Sequence, residues 1–162
     1  MNIAPIIEAQ AATPFDAPKK KKILISVLNW NGAGKTLNCL RSLQNEMNAT
    51  DAEVTLLIID NGSRVEDFSV LEAASKTDTF VLKRLPDNLG FTGGHNIAIQ
   101  MAIDEGYDFI WLMNNDAQVV PGALSHMLAA ILSNEKCGAV SPVLRDADDG
   151  KTIARCISTH DW

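Results

Sequence analysis

The sequence has few of the residues and runs that mark disulfide-rich, zinc-binding or membrane-spanning proteins. Its three cysteines, Cys39, Cys137 and Cys156, form no C-x-x-C pair, which excludes a disulfide scaffold, a zinc knuckle and a redox dithiol. So few cysteines without paired spacing are typical of a protein that resides in a reducing compartment. No apolar run reaches the roughly 18 residues that a membrane-spanning helix needs. Because Glu8 and Asp16 interrupt the amino-terminal segment, a secretory signal is also excluded. We expect a soluble, cytoplasmic protein.

An excess of positive charge is also absent. The chain has 14 Lys and Arg against 20 Asp and Glu, and a formal net charge of −6. This balance argues against nucleic acid as a partner, because a nucleic-acid binder normally carries a basic face. It still allows a phosphorylated small molecule, which helix termini and a metal ion can hold. With 162 residues, 46% of them apolar, the chain is sufficient for one globular domain with its own core.

The first 22 residues differ in composition from the rest. Residues 1–18 show no apolar periodicity, and four lysines follow at positions 19–22. We predict a disordered leader over residues 1–22, with the lysines as a solvated charge run. The alternative is a weak tether to anionic lipid, in which each basic residue contributes about 1 kcal/mol. The folded domain is then 23–162, and peripheral contact with the inner face of the membrane stays open.

Short apolar runs alternate with helical patterns through the rest of the chain. The runs predict strands at residues 23–28, 54–59, 80–85, 109–113 and 139–144. Apolar residues spaced three or four apart predict a helix after each of the first four, one of them ending near Glu105 and one opened by Pro121. Strands that are apolar on both sides are typical of a parallel sheet between two helical layers. The predicted fold class is α/β, a mainly parallel sheet with helices on both faces.

Polar and glycine-rich segments follow four of these strands directly. In a parallel sheet such segments emerge at one edge, the carboxyl edge, where ligands bind at the point of strand-order reversal. Their convergence predicts a ligand site. The candidate binding residues are Asn29, Asn31, Asp60, Asn61, Gly62, Asn88, Gly90, Phe91, Gly93, Gly94, Asn96, Asn114 and Asn115, with Asp116 as the candidate metal ligand.

Two carboxylates in these segments suit different tasks. Asp60 follows an aliphatic strand, where a carboxylate can accept hydrogen bonds from a base imide or a ribose hydroxyl. The alternative is an Asx turn that caps the next helix. Asp116 offers the hard oxygen that Mg²⁺ or Mn²⁺ prefers, with diphosphate and water completing the shell. The alternative for Asp116 is a turn residue before Pro121.

The glycines match neither of two common phosphate motifs. In residues 88–96 the glycine-rich segment lies before a predicted helix start, which presents free N–H groups. It follows the third strand and lacks the G-x-G-x-x-G pattern, which disfavours a dinucleotide site. Gly34, Lys35 and Thr36 look like the end of a P-loop, but position 29, where that motif needs glycine, is asparagine.

Three ring-bearing side chains have open interpretations. His95 lies within the glycine-rich segment and is able to touch a ligand or form a local hydrogen bond. Trp30 lies between two asparagines, where it can stack on a base, although core packing is slightly favoured. Trp111 lies within a predicted strand and is expected in the core.

The assembled motifs resemble glycosyltransferase family 2, which has the GT-A fold, and particularly its rhamnosyltransferase-like branch. The order and spacing of the motifs agree with that family over residues 22–144. The matching segments are 27–32 (VLNWNG), 60–63 (DNGS), 88–96 (NLGFTGGHN) and 112–116 (LMNND). The resemblance implies a Rossmann-like, nucleotide-sugar-binding half of a GT-A fold.

The resemblance also implies a reaction. A sugar would pass, with inversion, from a nucleoside diphosphate donor such as a dTDP-rhamnose-like compound to a glycan or lipid-linked acceptor, in cell-wall or polysaccharide biosynthesis. Asp60 would contact the base or ribose, the loop around Asn29 would line the nucleotide pocket, and residues 90–96 would shape the sugar side. Asp116 matches the last acid of the D-x-D motif and would bridge Mg²⁺ or Mn²⁺ to the diphosphate.

Two departures from the family pattern limit this expectation. Asn114 stands where D-x-D has its first acid, so the metal shell is poorer in charge. The family's catalytic base is a downstream carboxylate, expected beyond Trp162, and nothing supports Asp161 in that role. We therefore expect a donor-binding part, truncated at its carboxyl end. The alternatives are a non-catalytic nucleotide-sugar-binding module and another doubly wound protein such as a nucleotidyltransferase.

Overall fold

Strands and helices alternate along the chain, as the apolar pattern predicts. The computed structural model describes residues 19–146 and 153–155. Its elements are β1 (Lys22–Asn29), α1 (Ala33–Ala49), β2 (Glu53–Asn61), α2 (Val65–Ala74), β3 (Val81–Leu85), α3 (Gly90–Asp104), β4 (Phe109–Asn114), α4 (Ala123–Leu132), β5 (Leu144–Arg145) and β6 (Ile153–Arg155). Within these ranges no helix has both the length and the apolarity to cross a membrane.

The central sheet has four parallel strands in the order β3-β2-β1-β4. One face packs on a core with side chains from α1, α2 and α4, and the other packs on α3. The aliphatic residues of β1 and β2 are buried on both faces, because each face is covered by helices. The predicted α/β class with helices on both faces is confirmed.

The strand order reverses beside β1. The chain runs outward from β1 through β2 to β3 and then returns to place β4 on the other side of β1. The carboxyl ends of β1 and β4 therefore flank the crevice at which open α/β sheets bind ligands.

The predicted fifth strand over residues 139–144 is wrong. The main sheet has four strands in the described part of the chain, and only Leu144–Arg145 forms a strand there, pairing antiparallel with β6. Pro142 lies within the predicted run and lacks the N–H that a ladder needs.

The glycine-rich segment starts a helix rather than preceding one. α3 begins at Gly90, so the next glycines, Gly93 and Gly94, are helical. Two side-chain amides stabilise this start, since Asn88 Oδ1 accepts the Gly90 N–H at 2.8 Å and Asn61 Oδ1 accepts the Leu89 N–H at 2.9 Å. These contacts satisfy donors that a helix start leaves free.

The last of the four lysines at positions 19–22 is part of the folded domain. β1 begins at Lys22, one residue before the predicted start. Lys20 and Lys21 pair with Asp51 and Asp108 at 2.6 and 3.1 Å. The backbone N–H of Lys22 and the side chain of Lys21 lower the pKa of Asp108. Residues 1–18 of the predicted leader, and 156–162 at the other end, lie outside the described residues.

Candidate functional site

A row of polar side chains crosses the carboxyl edge of the sheet. Asn29 on β1 is in register with Asp60 on β2, and Asp60 with Arg84 on β3. Asn115 follows β4 directly and contacts Asn29. We call these four residues the polar row. Side chains alternate between faces along a strand, and this row lies on the face that packs against α1 and α2.

Asn29 is the central residue of the row and is fully buried. Its Nδ2 lies 2.9 Å from Asp60 Oδ1, 3.1 Å from Ser63 Oγ and 3.1 Å from Asp67 Oδ2. Its Oδ1 accepts a hydrogen bond from Thr36 Oγ1 at 2.8 Å. An amide has two N–H donors and one acceptor oxygen, so every hydrogen-bonding group of Asn29 has a partner.

The same network joins the β1–α1 loop to α2. Asp67 Oδ1 accepts the Ala33 N–H at 2.9 Å, and Ser63 Oγ accepts the Asn31 N–H at 2.9 Å. Asn31 has a left-handed φ of 51°, and its Oδ1 accepts the Arg64 N–H at 2.9 Å. An asparagine tolerates this conformation. The first turn of α1 is thus held by α2.

Asp60 is buried, and its carboxylate has internal partners. The side chain is 0% exposed. Oδ1 accepts the hydrogen bond from Asn29, whereas Oδ2 has only a long contact of 3.4 Å from the Ser63 N–H and the guanidinium of Arg84 at 3.8 Å. Because its internal contacts are the weaker ones, a ligand could hydrogen-bond to Oδ2 while disrupting less of the network than it would at Oδ1.

Asn61 points to the opposite face and holds the start of α3. Its Nδ2 donates to Asn88 Oδ1 at 2.9 Å and to the Gly90 carbonyl at 3.1 Å. The next residue, Gly62, has a φ of +71°, and a Cβ there would lie 2.5 Å from the Asp87 carbonyl carbon. Only glycine fits this close backbone approach. Asn61, Asn88 and Gly90 therefore form a second cluster that clamps a loop.

The start of α3 presents one exposed ring and buries another. Phe91 is 62% exposed, and its ring lies 4.5 Å from that of His95 in an edge arrangement. His95 is buried, and both its ring nitrogens lack a hydrogen-bond partner within the described residues. Burial lowers the pKa of His95. Of the two interpretations left open for His95, the local hydrogen bond does not form within the described residues. A Cβ at Gly94 would lie 2.4 Å from Leu28 Cδ1, so a glycine lets α3 approach β1.

The residues after β4 are open to solvent. Asn114 and Asp116 are exposed, and Asn115 is half-buried. In the part of the chain that the structure describes, no three His, Cys, Asp or Glu side chains gather as a metal site. Burial, and to a smaller extent the negative charge of Asp116, raises the pKa of the Cys39 thiol to about 11.

The segment that follows Asp116 is fixed to α1. Glu46 is buried on α1, and its carboxylate accepts the Gly122 N–H at 2.8 Å and the Leu124 N–H at 3.0 Å. Ser42 Oγ accepts the Val119 N–H at 3.1 Å. A carboxylate at a helix amino terminus satisfies free N–H groups and favours the helix dipole. α1 thus positions both the β1–α1 loop and the chain after Asp116.

The structure brings most of the predicted residues to one edge, in two clusters. Asn29, Asn31, Asp60 and Asn115 belong to the first, and Asn61, Gly62, Asn88 and Gly90 to the second. Phe91, Asn96, Asn114 and Asp116 are exposed at the rim. Trp30 is 57% exposed, so the slightly favoured core packing is wrong. Trp111 is partly buried and packs against the core, as predicted.

Four residues of this edge were not predicted from the sequence. They are Thr36, Ser63, Asp67 and Arg84. Ser63 lies within the matching segment 60–63 and Thr36 within the P-loop-like sequence, but neither was named as a candidate binding residue. Asp67 and Arg84 carry no motif, and only the packing of α2 and the register of β3 bring them to the row. Two cavities of about 400 and 550 Å³ lie elsewhere, along β4 and α4 and between β3 and α3.

Two solved structures have a fold similar to that of this chain. S. aureus TarS (residues 1–349) matches with a TM-score of 0.58 at 19% identity, over 70% of this chain and 33% of that chain. The mannosyltransferase PcManGT from Pyrobaculum calidifontis, in complex with GDP-Man and Mn²⁺, matches with a TM-score of 0.56 at 15% identity, over 72% of this chain and 35% of that chain. These similarities establish the fold, and this chain spans about a third of each protein.

The comparison of the sequence with protein families identifies the family of this chain, whereas the structural similarities identify only its fold. Curated proteins gave no match to the chain. Residues 23–160 match the sequence model described as glycosyl transferase family 2, a span that includes the four strands of the sheet except for Lys22 at the start of β1, and every residue of the polar row. The protein belongs to glycosyl transferase family 2.

Proposed function

We propose that this chain binds the donor in a glycosyltransferase that transfers a sugar from a nucleoside diphosphate to a glycan or lipid-linked acceptor, with inversion. The observation that carries the proposal is the polar row at the carboxyl edge, where the strand order reverses beside β1. This is the ligand position of open α/β sheets. The family match and a neighbour solved with GDP-Man and Mn²⁺ support the same ligand class.

The proposed roles follow the position of each residue. Asp60 Oδ2 is the loosely held oxygen and receives the base or ribose. Trp30 is exposed beside β1 and offers a ring for stacking. Gly90, Gly93, Gly94 and Asn96 shape the sugar side at the first turns of α3. The rhamnosyltransferase-like branch, with a dTDP-rhamnose-like donor, stays part of the proposal on the order of the four motifs alone.

Asp116 suits a divalent cation that arrives with its nucleotide. The exposed carboxylate has no hydrogen bond or ion pair within the described residues, and its oxygens are hard ligands. One carboxylate is a small protein contribution, so diphosphate and water would supply most of the Mg²⁺ or Mn²⁺ shell. When bound, the cation would offset charge that develops on the leaving diphosphate. Asn114 adds no charge to this shell.

An inverting displacement also needs a base that takes the acceptor proton. The polar row offers no residue for this role, because its one carboxylate, Asp60, already has the role of binding the base or ribose in this proposal and is hydrogen-bonded to Asn29. The base stays unassigned. Since the chain spans about a third of its structural neighbours, a module that binds the donor without turnover is the second candidate. Product formation from labelled donor by the 162-residue chain would exclude that candidate.

Calorimetry tests donor binding and the metal role together. GDP, UDP and dTDP are titrated into the chain with and without Mn²⁺, and into Asp116→Asn. The matched control is Asp78→Asn, an exposed acid in the α2–β3 loop, at the opposite end of the strands. We expect Mn²⁺ to strengthen binding to the wild type and to the control but not to Asp116→Asn. Binding without any Mn²⁺ effect contradicts the metal role, and no binding of any nucleotide contradicts the proposed function.

A further inference from the structure

One face of α1 carries four side chains that contact the chain on both sides of Asp116. They lie three or four residues apart, a spacing that places side chains on one face of a helix. We call them the α1 stripe, and they are Thr36, Cys39, Ser42 and Glu46. Three of them are buried and Ser42 is half-buried, so water competes little with the contacts that they make.

Two members of the α1 stripe hold the residues just before Asp116. Thr36 Oγ1 accepts a hydrogen bond from Asn115 Nδ2 at 3.1 Å. Cys39 Sγ lies 3.9 Å from the Asn114 carbonyl oxygen, a weaker contact because a thiol is a weak donor. The carboxyl end of β4 is therefore held against the first half of α1.

The other two members hold the segment that follows. Ser42 Oγ accepts the Val119 N–H at 3.1 Å, and the Glu46 carboxylate accepts the Gly122 N–H at 2.8 Å and the Leu124 N–H at 3.0 Å. Up to the start of α4 this segment belongs to no helix or strand. Side chains of α1 thus supply hydrogen bonds that regular secondary structure does not, and removing one leaves an unpaired N–H.

The carboxylate between these two pairs of contacts has no support of its own. Asp116 is exposed, and within the described residues no hydrogen bond or ion pair holds its side chain. Its place relative to the sheet therefore depends on the neighbours that the α1 stripe holds. Residues that orient a metal ligand without touching the metal typically change metal affinity 10- to 100-fold when they are replaced.

We propose that Ser42 and Glu46 are positioning residues for Asp116, which they keep where it can bind a divalent cation. The inference rests on the proposed function, in which Asp116 holds Mg²⁺ or Mn²⁺, and it adds the residues that position this ligand. Without either contact, the segment after Asp116 gains alternative conformations, and the fraction of molecules with the carboxylate in place falls. Metal-assisted nucleotide binding then weakens, whereas nucleotide contacts at β1 and β2 do not depend on this segment.

The test separates metal-dependent binding from the rest. UDP and GDP are titrated by calorimetry, with and without Mn²⁺, into the wild type, Ser42→Ala, Ser42→Thr and Glu46→Gln. The readout is the dissociation constant without Mn²⁺ divided by that with Mn²⁺. Ser42→Ala and Glu46→Gln should lower this ratio at least about fivefold, while the dissociation constant without Mn²⁺ stays within about twofold. Ser42→Thr keeps the hydroxyl and should keep the wild-type ratio.

A destabilising control distinguishes positioning from a general loss of structure. Met101→Ala removes a side chain that packs in the core between α3 and the sheet, on the face opposite α1. It should lower the melting temperature and leave the Mn²⁺ ratio unchanged. All variants are titrated at a temperature at which circular dichroism shows them to be folded. Ser42→Ala keeps the test valid if Glu46→Gln does not fold.

Each outcome decides the inference. A full Mn²⁺ ratio in Ser42→Ala and Glu46→Gln overturns it and leaves the proposed function intact. An equal loss of affinity with and without Mn²⁺, or a lower ratio in Met101→Ala as well, also overturns it, because the effect would then be general. Nucleotide binding to the wild type without any Mn²⁺ effect overturns it together with the metal role of Asp116. Failure of both nucleotides to bind the wild type removes the proposed function as well.

Discussion

Replacing Asn29 with aspartate should disrupt the polar row through charge alone. Asn29→Asp changes the side-chain volume little but exchanges an N–H donor group for a carboxylate oxygen. In the wild type that donor group lies 2.9 Å from Asp60 Oδ1 and 3.1 Å from Asp67 Oδ2. The variant therefore places a third carboxylate between two existing ones, in a network that is buried at Asn29 and Asp60.

The expected loss is a large fraction of the stability of the domain. A hydrogen bond to a charged group contributes about 1.5–3 kcal/mol, so losing two costs about 3–6 kcal/mol before any repulsion. We expect the free energy of unfolding at pH 7 to fall by at least about 4 kcal/mol, against about 5–15 kcal/mol for a typical domain. With a urea m-value of about 2 kcal/mol per M, the midpoint moves down by about 2 M.

The loss should also depend on pH, and its sign follows from linkage. The neighbouring carboxylates raise the pKa of the introduced carboxyl above its usual value of about 4. The folded state then binds more protons than the unfolded state between about 4 and that raised value, so stability falls as pH rises through this window. The deficit of Asn29→Asp relative to the wild type should therefore shrink between pH 7 and pH 5.

Urea unfolding followed by circular dichroism measures both effects. The matched control is Asn45→Asp, the same change at an exposed position on α1, which should alter stability by less than about 0.5 kcal/mol. A deficit below about 1 kcal/mol at pH 7 would refute the reasoning. So would a large deficit that is equal at both pH values, because it would mean that charge is not its cause.

Three further predictions concern the supports of this edge. Glu46→Gln removes a charge-assisted hydrogen bond at the start of α4 and should cost about 2 kcal/mol. Glu72→Gln, an exposed control on α2, should cost less than about 0.5 kcal/mol in the same urea assay, and equal losses would contradict the capping role. Gly62→Ala places a Cβ 2.5 Å from a backbone carbon at a φ of +71° and should lower the melting temperature by several degrees. Gly34→Ala meets nothing within 4 Å and should not lower it, so similar shifts would contradict the argument. The pKa of Cys39, raised to about 11, keeps its thiol protonated at pH 8, so iodoacetamide should modify Cys39 only after unfolding. Rapid modification of the native protein, located by peptide mass spectrometry, would contradict its burial.

The strand pattern and the common edge were predictable because both depend on local sequence. Runs such as residues 54–59 are aliphatic except for Thr55, and a strand buried on both faces suits only a sheet covered on two sides. Successive parallel strands then bring the residues that follow them to one edge. The errors have local causes as well. Pro142 interrupts the run that was predicted as a fifth strand, and two amide caps allow α3 to start within a glycine-rich segment.

The amino-acid sequence by itself determined that the segments following the strands meet at the carboxyl edge and to which family the chain belongs. Periodicity and burial act over a few residues, so they can be recognised in a linear chain. Only the tertiary structure decided the order β3-β2-β1-β4, which aligns Arg84, Asp60 and Asn29. It also decided that Asn61 clamps a loop and that Asp67, from α2, holds the start of α1. These contacts join residues 24 to 34 positions apart, and no local spacing encodes them, since they depend on how whole elements pack.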